Sequence, residues 1–179
     1  MQARVGNRKP ERRASSDEHR EAGSRPRRVG EPRVVTDPGS RPQIVILANM
    51  KRVLLIFVSA FFLNLIWENF HSFLYVSYKG GEITEFILMR ASLFDAFVIT
   101  MLSLPFLYIS FLKGRIGLLF LVGTAVAIVN EWYGLGTNRW MYNAYMPIVP
   151  FANVGLTPVF QLGTLGVISF KIQERIFSR

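Results

Sequence analysis

A chain of 179 residues that is half hydrophobic, carries a net charge of +9 and contains no cysteine excludes several classes at once. Without a thiol there is no disulfide framework, thiolate nucleophile or cysteine-held metal or iron–sulfur cluster. The charge would suggest nucleic acid in a soluble protein, but about half of the excess lies in a polar N-terminal segment and most of the rest flanks apolar runs, where it fits topology-setting charge at an anionic membrane surface. No nucleic-acid partner is expected.

Residues 1–49 are rich in Arg, Pro, Gly and Glu, carry the single Lys9 and lack apolar periodicity. They are expected to be a disordered basic segment. Met50-Lys51-Arg52 ahead of an apolar run reads like a natural bacterial start, so Met50 is expected to initiate the chain; the alternative is a basic cytoplasmic tail that binds anionic lipid. Val58-Ser59-Ala60 loosely matches a signal cleavage site, but the apolar run before it is short and hydrophobicity continues to Trp67, which fits an uncleaved anchor better.

Four apolar runs follow, at about 53–75, 86–112, 115–135 and 152–171. A hydrocarbon core about 30 Å thick needs a helix of roughly 20 residues, and each run reaches that length. The expected fold is all-α: a four-helix transmembrane bundle over 50–179, with a kink near Pro105 and with Pro158 near the start of the fourth span. A soluble four-helix bundle is the alternative, but it would need charged outer faces that these runs lack. Lys51, Arg52, Lys113, Arg115, Lys171 and Arg175 fall at one end and only Lys79 and Arg139 in the loops at the other, so both termini are expected in the cytoplasm, N-in and C-in, in the cell (inner) membrane. Trp132, Tyr133, Trp140, Tyr142 and Tyr145 form an aromatic belt at the far interface.

Each run also carries polar groups at a similar depth. At about 1.5 Å per residue, Glu68 lies roughly 24 Å beyond Arg52 along the first helix. Asn64, Glu68, His71 and Tyr75 share one face. Arg90 and Asp95 on the second helix, Asn130 and Glu131 on the third and Gln161 on the fourth reach the same level. Gly123 and Ala127 make a small-xxx-small step that permits close helix approach. Ionisable groups in hydrocarbon cost at least a few kcal/mol each, so they are expected to turn inward. Glu68, His71, Asp95 and Glu131 are the candidate catalytic core, and Arg90, Asn130, Arg139, Trp140, Tyr142 and Gln161 the candidate substrate-binding residues. His71 beside Glu68 suits proton transfer. The Glu68-x-x-His71 spacing also occurs in di-iron helical bundles, which use it twice. Here it occurs once, the only other histidine is His19, and Asp95 and Glu131 would have to complete the set, so no metal is assigned. No serine elbow, phosphate-binding glycine loop or zinc signature is present, and no cofactor is specified. The segment 136–151 reads either as an interfacial anchor or as a lid that binds a headgroup over the polar cavity.

The strings W-E-x-x-H-x-x-L-Y (Trp67 to Tyr75), A-S-L-x-D (Ala91 to Asp95), N-E-W (Asn130 to Trp132), R-W-x-Y-N (Arg139 to Asn143), M-P-x-x-P (Met146 to Pro150) and V-G-L-x-P-x-x-Q (Val154 to Gln161) resemble a family of small uncharacterised prokaryotic integral membrane proteins. The resemblance covers about 60–170 and implies membrane location without an activity. Three function classes stay open. The polar core could bind or transform an amphiphile such as a lipid or isoprenoid, it could relay protons in a small transporter or channel subunit, or it could be a purely structural network in a membrane scaffold. The bilayer is the expected partner in all three.

Overall fold

The computed structural model of the chain describes residues 40–178. The disorder expected of the N-terminal segment falls mostly on residues 1–39, outside the described residues. Four helices dominate: α1 Ser40–His71, α2 Glu85–Tyr108, α3 Ile116–Gly136 and α4 Leu156–Phe177. α1 starts before the expected boundary. Residues 40–49 are helical and run without a break into the apolar stretch. Pro42 falls in the first turn, where its missing N–H removes no intrahelical bond.

The other boundaries follow local chemistry. Thr84, in extended conformation, precedes α2, with Glu85 in the first turn, where a negative charge meets the positive end of the helix dipole. Pro105 is accommodated inside α2, which ends at Tyr108, and Ser110–Leu112, expected within the span, form a 3-10 turn instead. Gly114 takes a φ of 80° before α3, a left-handed conformation that glycine adopts without strain.

α1, α2 and α3 are long and apolar enough to cross a membrane. α4 is as long but less apolar, because its surroundings are protein. Val159, Leu162, Leu165 and Phe170 are buried in it, together with Gln161, Ser169 and Gln173. α1 packs against α2 and α4, α3 packs against α4, and α2 and α3 meet only sparsely. The tightest approach is α3 on α4: a Cβ on Gly123 would lie 2.8 Å from the Gly163 Cα, and one on Gly163 would lie 2.7 Å from the Phe120 carbonyl oxygen. The core joins Ile56 and Ala60 of α1 to Ala96 and Ile99 of α2, Leu119 and Ala127 of α3, and Leu162 and Leu165 of α4. The outward faces stay apolar, with Phe62, Phe70, Phe86, Phe97 and Leu121 more than half exposed, which water would penalise and lipid would not.

The fold is not purely helical. β1 Tyr75–Tyr78 pairs antiparallel with β2 Trp140–Tyr142, and β3 Ile148–Val149 pairs with β4 Val154–Gly155. β4 occupies residues expected at the start of the fourth span. β1 closes on a tight turn in which Tyr78 and Gly81 exchange N–H···O bonds of 3.0 Å. Lys79 and Gly80 at its centre have φ of 49° and 75°. The Lys79 N–H also donates to the Arg139 carbonyl at 2.6 Å. Two connections that read as loops in sequence are thereby fastened to one another over the ends of the helices.

Candidate functional site

The centre of the polar cluster is one side-chain amide. Gln161, in the second turn of α4 and 4% exposed, donates from Nε2 to Asn64 Oδ1 at 3.0 Å, Glu68 Oε1 at 2.6 Å and Asp95 Oδ2 at 3.0 Å. α1, α2 and α4 are thus tied through a single nitrogen. Asn64 and Glu68, four apart, reach it from one face of α1. Asn64 uses its own amide to donate to the Ala60 carbonyl at 2.8 Å, which leaves its oxygen to accept from Gln161. An NH₂ group has two hydrogens and here faces three acceptors. The amide therefore cannot serve all three oxygens at once.

Glu131 is held differently. It is 4% exposed, and its Oε2 accepts from Trp140 Nε1 at 3.2 Å and from the Tyr142 hydroxyl. The Tyr142 oxygen in turn accepts the Gly155 N–H at 2.9 Å. Burial first, then the bond to Glu131, push the Tyr142 phenol above its ordinary value of 10.0, while the Gly155 N–H acts against them. Gly134 makes this possible: a Cβ there would sit 1.9 Å from the Trp140 ring. The ring occupies the space that a side chain at 134 would take.

Glu68, Asp95, Glu131 and Gln161 all line one cavity of about 480 Å³, within the range of small-molecule sites. Its apolar wall comes from Ile87, Leu88 and Phe94 of α2, Ala127 of α3 and Leu162 of α4. Asn130, Arg139, Trp140 and Arg90 line it too, and so does Lys79. Asp95 and Glu131 are buried and Glu68 and Arg139 half-buried, whereas Lys79 and Arg90 are exposed. Two of these cations are held by tyrosines. Arg90 donates to the Tyr78 hydroxyl at 2.8 Å, its guanidinium 5.6 Å from the ring centre. Arg139 donates to the Tyr133 hydroxyl at 2.9 Å, 4.8 Å above that ring. The side-chain donors bound to the three carboxyls are an amide, an indole and a phenol, none of them a cation.

His71, expected to face the carboxyls, does not line the cavity. Its ring packs edge-on to Tyr75 at 4.9 Å and lies 6.4 Å from Trp67, and neither of its nitrogens has a hydrogen-bond partner among the described residues. Three residues along a helix rotate the face by about 60°, enough to turn His71 from the cavity into the aromatic layer above it. Tyr142 is likewise behind the wall and acts through Glu131. No group of three His, Asp or Glu side chains converges as a metal would require among the described residues.

Sequence reasoning assigned Lys79 and Tyr133 to topology and the interface rather than to the site, and gave Tyr78 and Gly134 no place in it. Only the Lys79-Gly80-Gly81 string, a turn signal after an aromatic and β-branched run, pointed to the end of β1. The segment 136–151 is fastened to the 3-10 turn Ser72–Leu74 between α1 and β1: the Asn143 N–H donates to the Leu74 carbonyl at 2.9 Å and its side-chain amide to the Phe73 carbonyl. Comparison with known protein families, curated proteins and solved structures finds no match.

Proposed function

We propose that this chain is a multi-pass integral membrane protein, of the kind its sequence strings resemble, that binds an amphiphile by its polar end in the cavity between α2 and α3. In this reading all four helices cross the cell membrane, both termini are cytoplasmic, and the cavity opens toward the non-cytoplasmic side. The observation that carries it is the placement of the cavity where α2 meets α3 and α4 only sparsely, with carboxyls inside, cations at the exposed end and apolar walls between. A polar head would meet Arg90, Lys79 and Arg139, its chain would leave along Phe94 and Ile87, and the Glu68–Asp95 pair would exchange a proton with a group near the head. The shared Gln161 amide also favours a structural role, since it binds three helices whatever occupies the cavity. The relay reading has less support: the carboxyl cavity and the cleft at the other end of the helices share no lining residue among the described residues.

Two experiments test this. Photoactivatable lipid should label Ile87, Phe94 and Leu162 in preference to the outer faces, and Ala91→Trp, which fills the cavity without removing a carboxyl, should abolish that labelling while leaving the melting temperature near that of the parent. Labelling spread evenly over Phe62, Phe70 and Leu121 would leave the scaffold as the better reading. Reporter fusions after Lys79 and Asn143 should read outside and one after Lys113 inside; the reverse would overturn the topology.

A further inference from the structure

At the opposite end of the helices from the carboxyls, a second cleft of about 790 Å³ lies among the ends of α2 and α4, the α2–α3 connection and α1. Arg52, which lines it, precedes Glu68 on α1 by roughly 24 Å at the ordinary helical rise. Four basic residues from three parts of the chain converge here, Arg52 of α1, Lys113 of the α2–α3 connection and Lys171 and Arg175 of α4, against one carboxylate, Glu174. Phe106, Leu107 and Phe170 supply an apolar wall. Basic residues at a helix end need not gather in this way. Arg115, two positions from Lys113, is directed elsewhere, its guanidinium 3.9 Å over the Phe111 ring, and takes no part.

Two polar atoms on residues of this cleft lack partners. Arg52 rests its guanidinium 5.5 Å from the centre of the Phe177 ring, and its Nε is buried without an acceptor among the described residues. Gln173 is 2% exposed, and its Oε1 is buried without a donor among the described residues. Buried polar groups are nearly always paired, so an orphaned donor and an orphaned acceptor on one cleft describe the ligand that would satisfy them. The donor and the surrounding cations ask for an anionic oxygen. The amide oxygen asks for a hydroxyl or amine, and the soft terminal torsion of glutamine lets it turn toward the cleft. The phenylalanine wall asks for hydrocarbon. We infer that this cleft binds an anionic glycerophospholipid whose headgroup carries free hydroxyls, with the phosphodiester against Arg52, Lys113, Lys171 and Arg175, a hydroxyl on Gln173 and an acyl chain along Phe106 and Phe170. Such a lipid clasps α1, α2 and α4 at the end where no amide ties them, and its binding does not depend on what occupies the carboxyl cavity.

Native mass spectrometry of the full chain in detergent, with added short-chain phosphatidylglycerol, phosphatidic acid, phosphatidylcholine or inorganic phosphate, tests this. Phosphatidylglycerol should be retained over phosphatidylcholine by about tenfold or more, and replacing the exposed Lys171 and Arg175 by Gln should lower its retention about fivefold for each charge removed. Gln173→Leu should bring phosphatidylglycerol down to the level of phosphatidic acid and leave phosphatidic acid unchanged. Equal retention of the anionic and zwitterionic lipids, displacement by inorganic phosphate at matched concentration, or indifference to the two Gln substitutions would overturn the assignment. If Gln173→Leu does not fold, the pair of surface substitutions still decides it.

Discussion

Glu131 and the Glu68–Asp95 pair open onto the same cavity but are held by different means. The pair is fixed by helix packing: its donor sits on α4, its acceptors on α1 and α2, and all of them are placed by the rigid spacing of helical turns. Glu131 is fixed by a strand and a glycine: its donors Trp140 and Tyr142 arrive on β2, and β2 stays in place through β1, Gly134 and the Gly155 N–H. One carboxyl site is thus as stable as the bundle, and the other is as stable as a small sheet at its end. Local opening of the sheet would expose Glu131 and leave the pair intact, since small peripheral elements open more cheaply than a packed core.

The largest effect should come from the pair. Gln161→Leu leaves Asn64, Glu68 and Asp95 without their shared donor at little change in volume, and should cost about 3 kcal/mol or more, at roughly 1–3 kcal/mol per buried group left unpaired. Chemical denaturation in detergent measures it, and a melt like that of the parent would mean that the amide is not what ties the helices. Gly134→Ala acts on the other carboxyl. Its new methyl overlaps the Trp140 ring, and such overpacking typically costs about 1–3 kcal/mol. Tryptophan fluorescence should report a displaced indole, while the Gln161 ties persist; loss of both sites together would show them to be one unit.

Tyr142→Phe should cost less, about 1–2 kcal/mol, because Trp140 still serves Glu131. It should also change the pH profile. The folded chain holds the Tyr142 proton more tightly than the unfolded chain does, so this contribution to stability is full below the ordinary phenol value and is lost as pH rises beyond it. The variant should therefore lose less stability than the parent at alkaline pH; identical profiles would remove Tyr142 from the account. The smallest effect, and the only stabilising one, is expected at the cavity's exposed end. Lys79 has a φ of 49°, a conformation that costs a residue with a Cβ about 1 kcal/mol. Lys79→Gly should gain up to about 1 kcal/mol by relieving it and, in the proposed reading, weaken binding of an anionic headgroup. A destabilised variant would show that the turn is unstrained.

The helices were legible in the sequence because length and hydropathy suffice for them, and so was the alignment of Asn64 with Glu68, which needs only the turn of a helix. Gln161 was placed at the right depth, but nothing local reveals that one amide meets three partners from two other helices. That is a fact of packing. The fate of His71 was not legible either, since a face of a helix is broad and the aromatic layer that claims the ring is formed with Tyr75, just past the helix end. The strands escaped because β1 and β2 are 3 or 4 residues each, lie more than 60 positions apart and show no alternation. The start of α1 at Ser40 escaped for another reason: Pro42 and the polar residues before it read as a breaker, and the short apolar run 44–48 groups with them until the helix is seen to extend back through both.

The modest apolarity of α4 has a consequence for biogenesis. In the proposed arrangement it is the last helix to leave the ribosome, and it carries the one amide that Glu68 and Asp95 share. Three helices emerge first and wait with two carboxyls unmatched in a low-dielectric medium, an arrangement that hydrocarbon penalises. α4 alone is a poor candidate for partitioning into lipid, yet beside its waiting neighbours it finds a polar socket for Gln161 and a glycine seam for Gly163. Its insertion would then be driven by recognition of the earlier helices, so that assembly of the cavity and completion of the membrane topology are a single event.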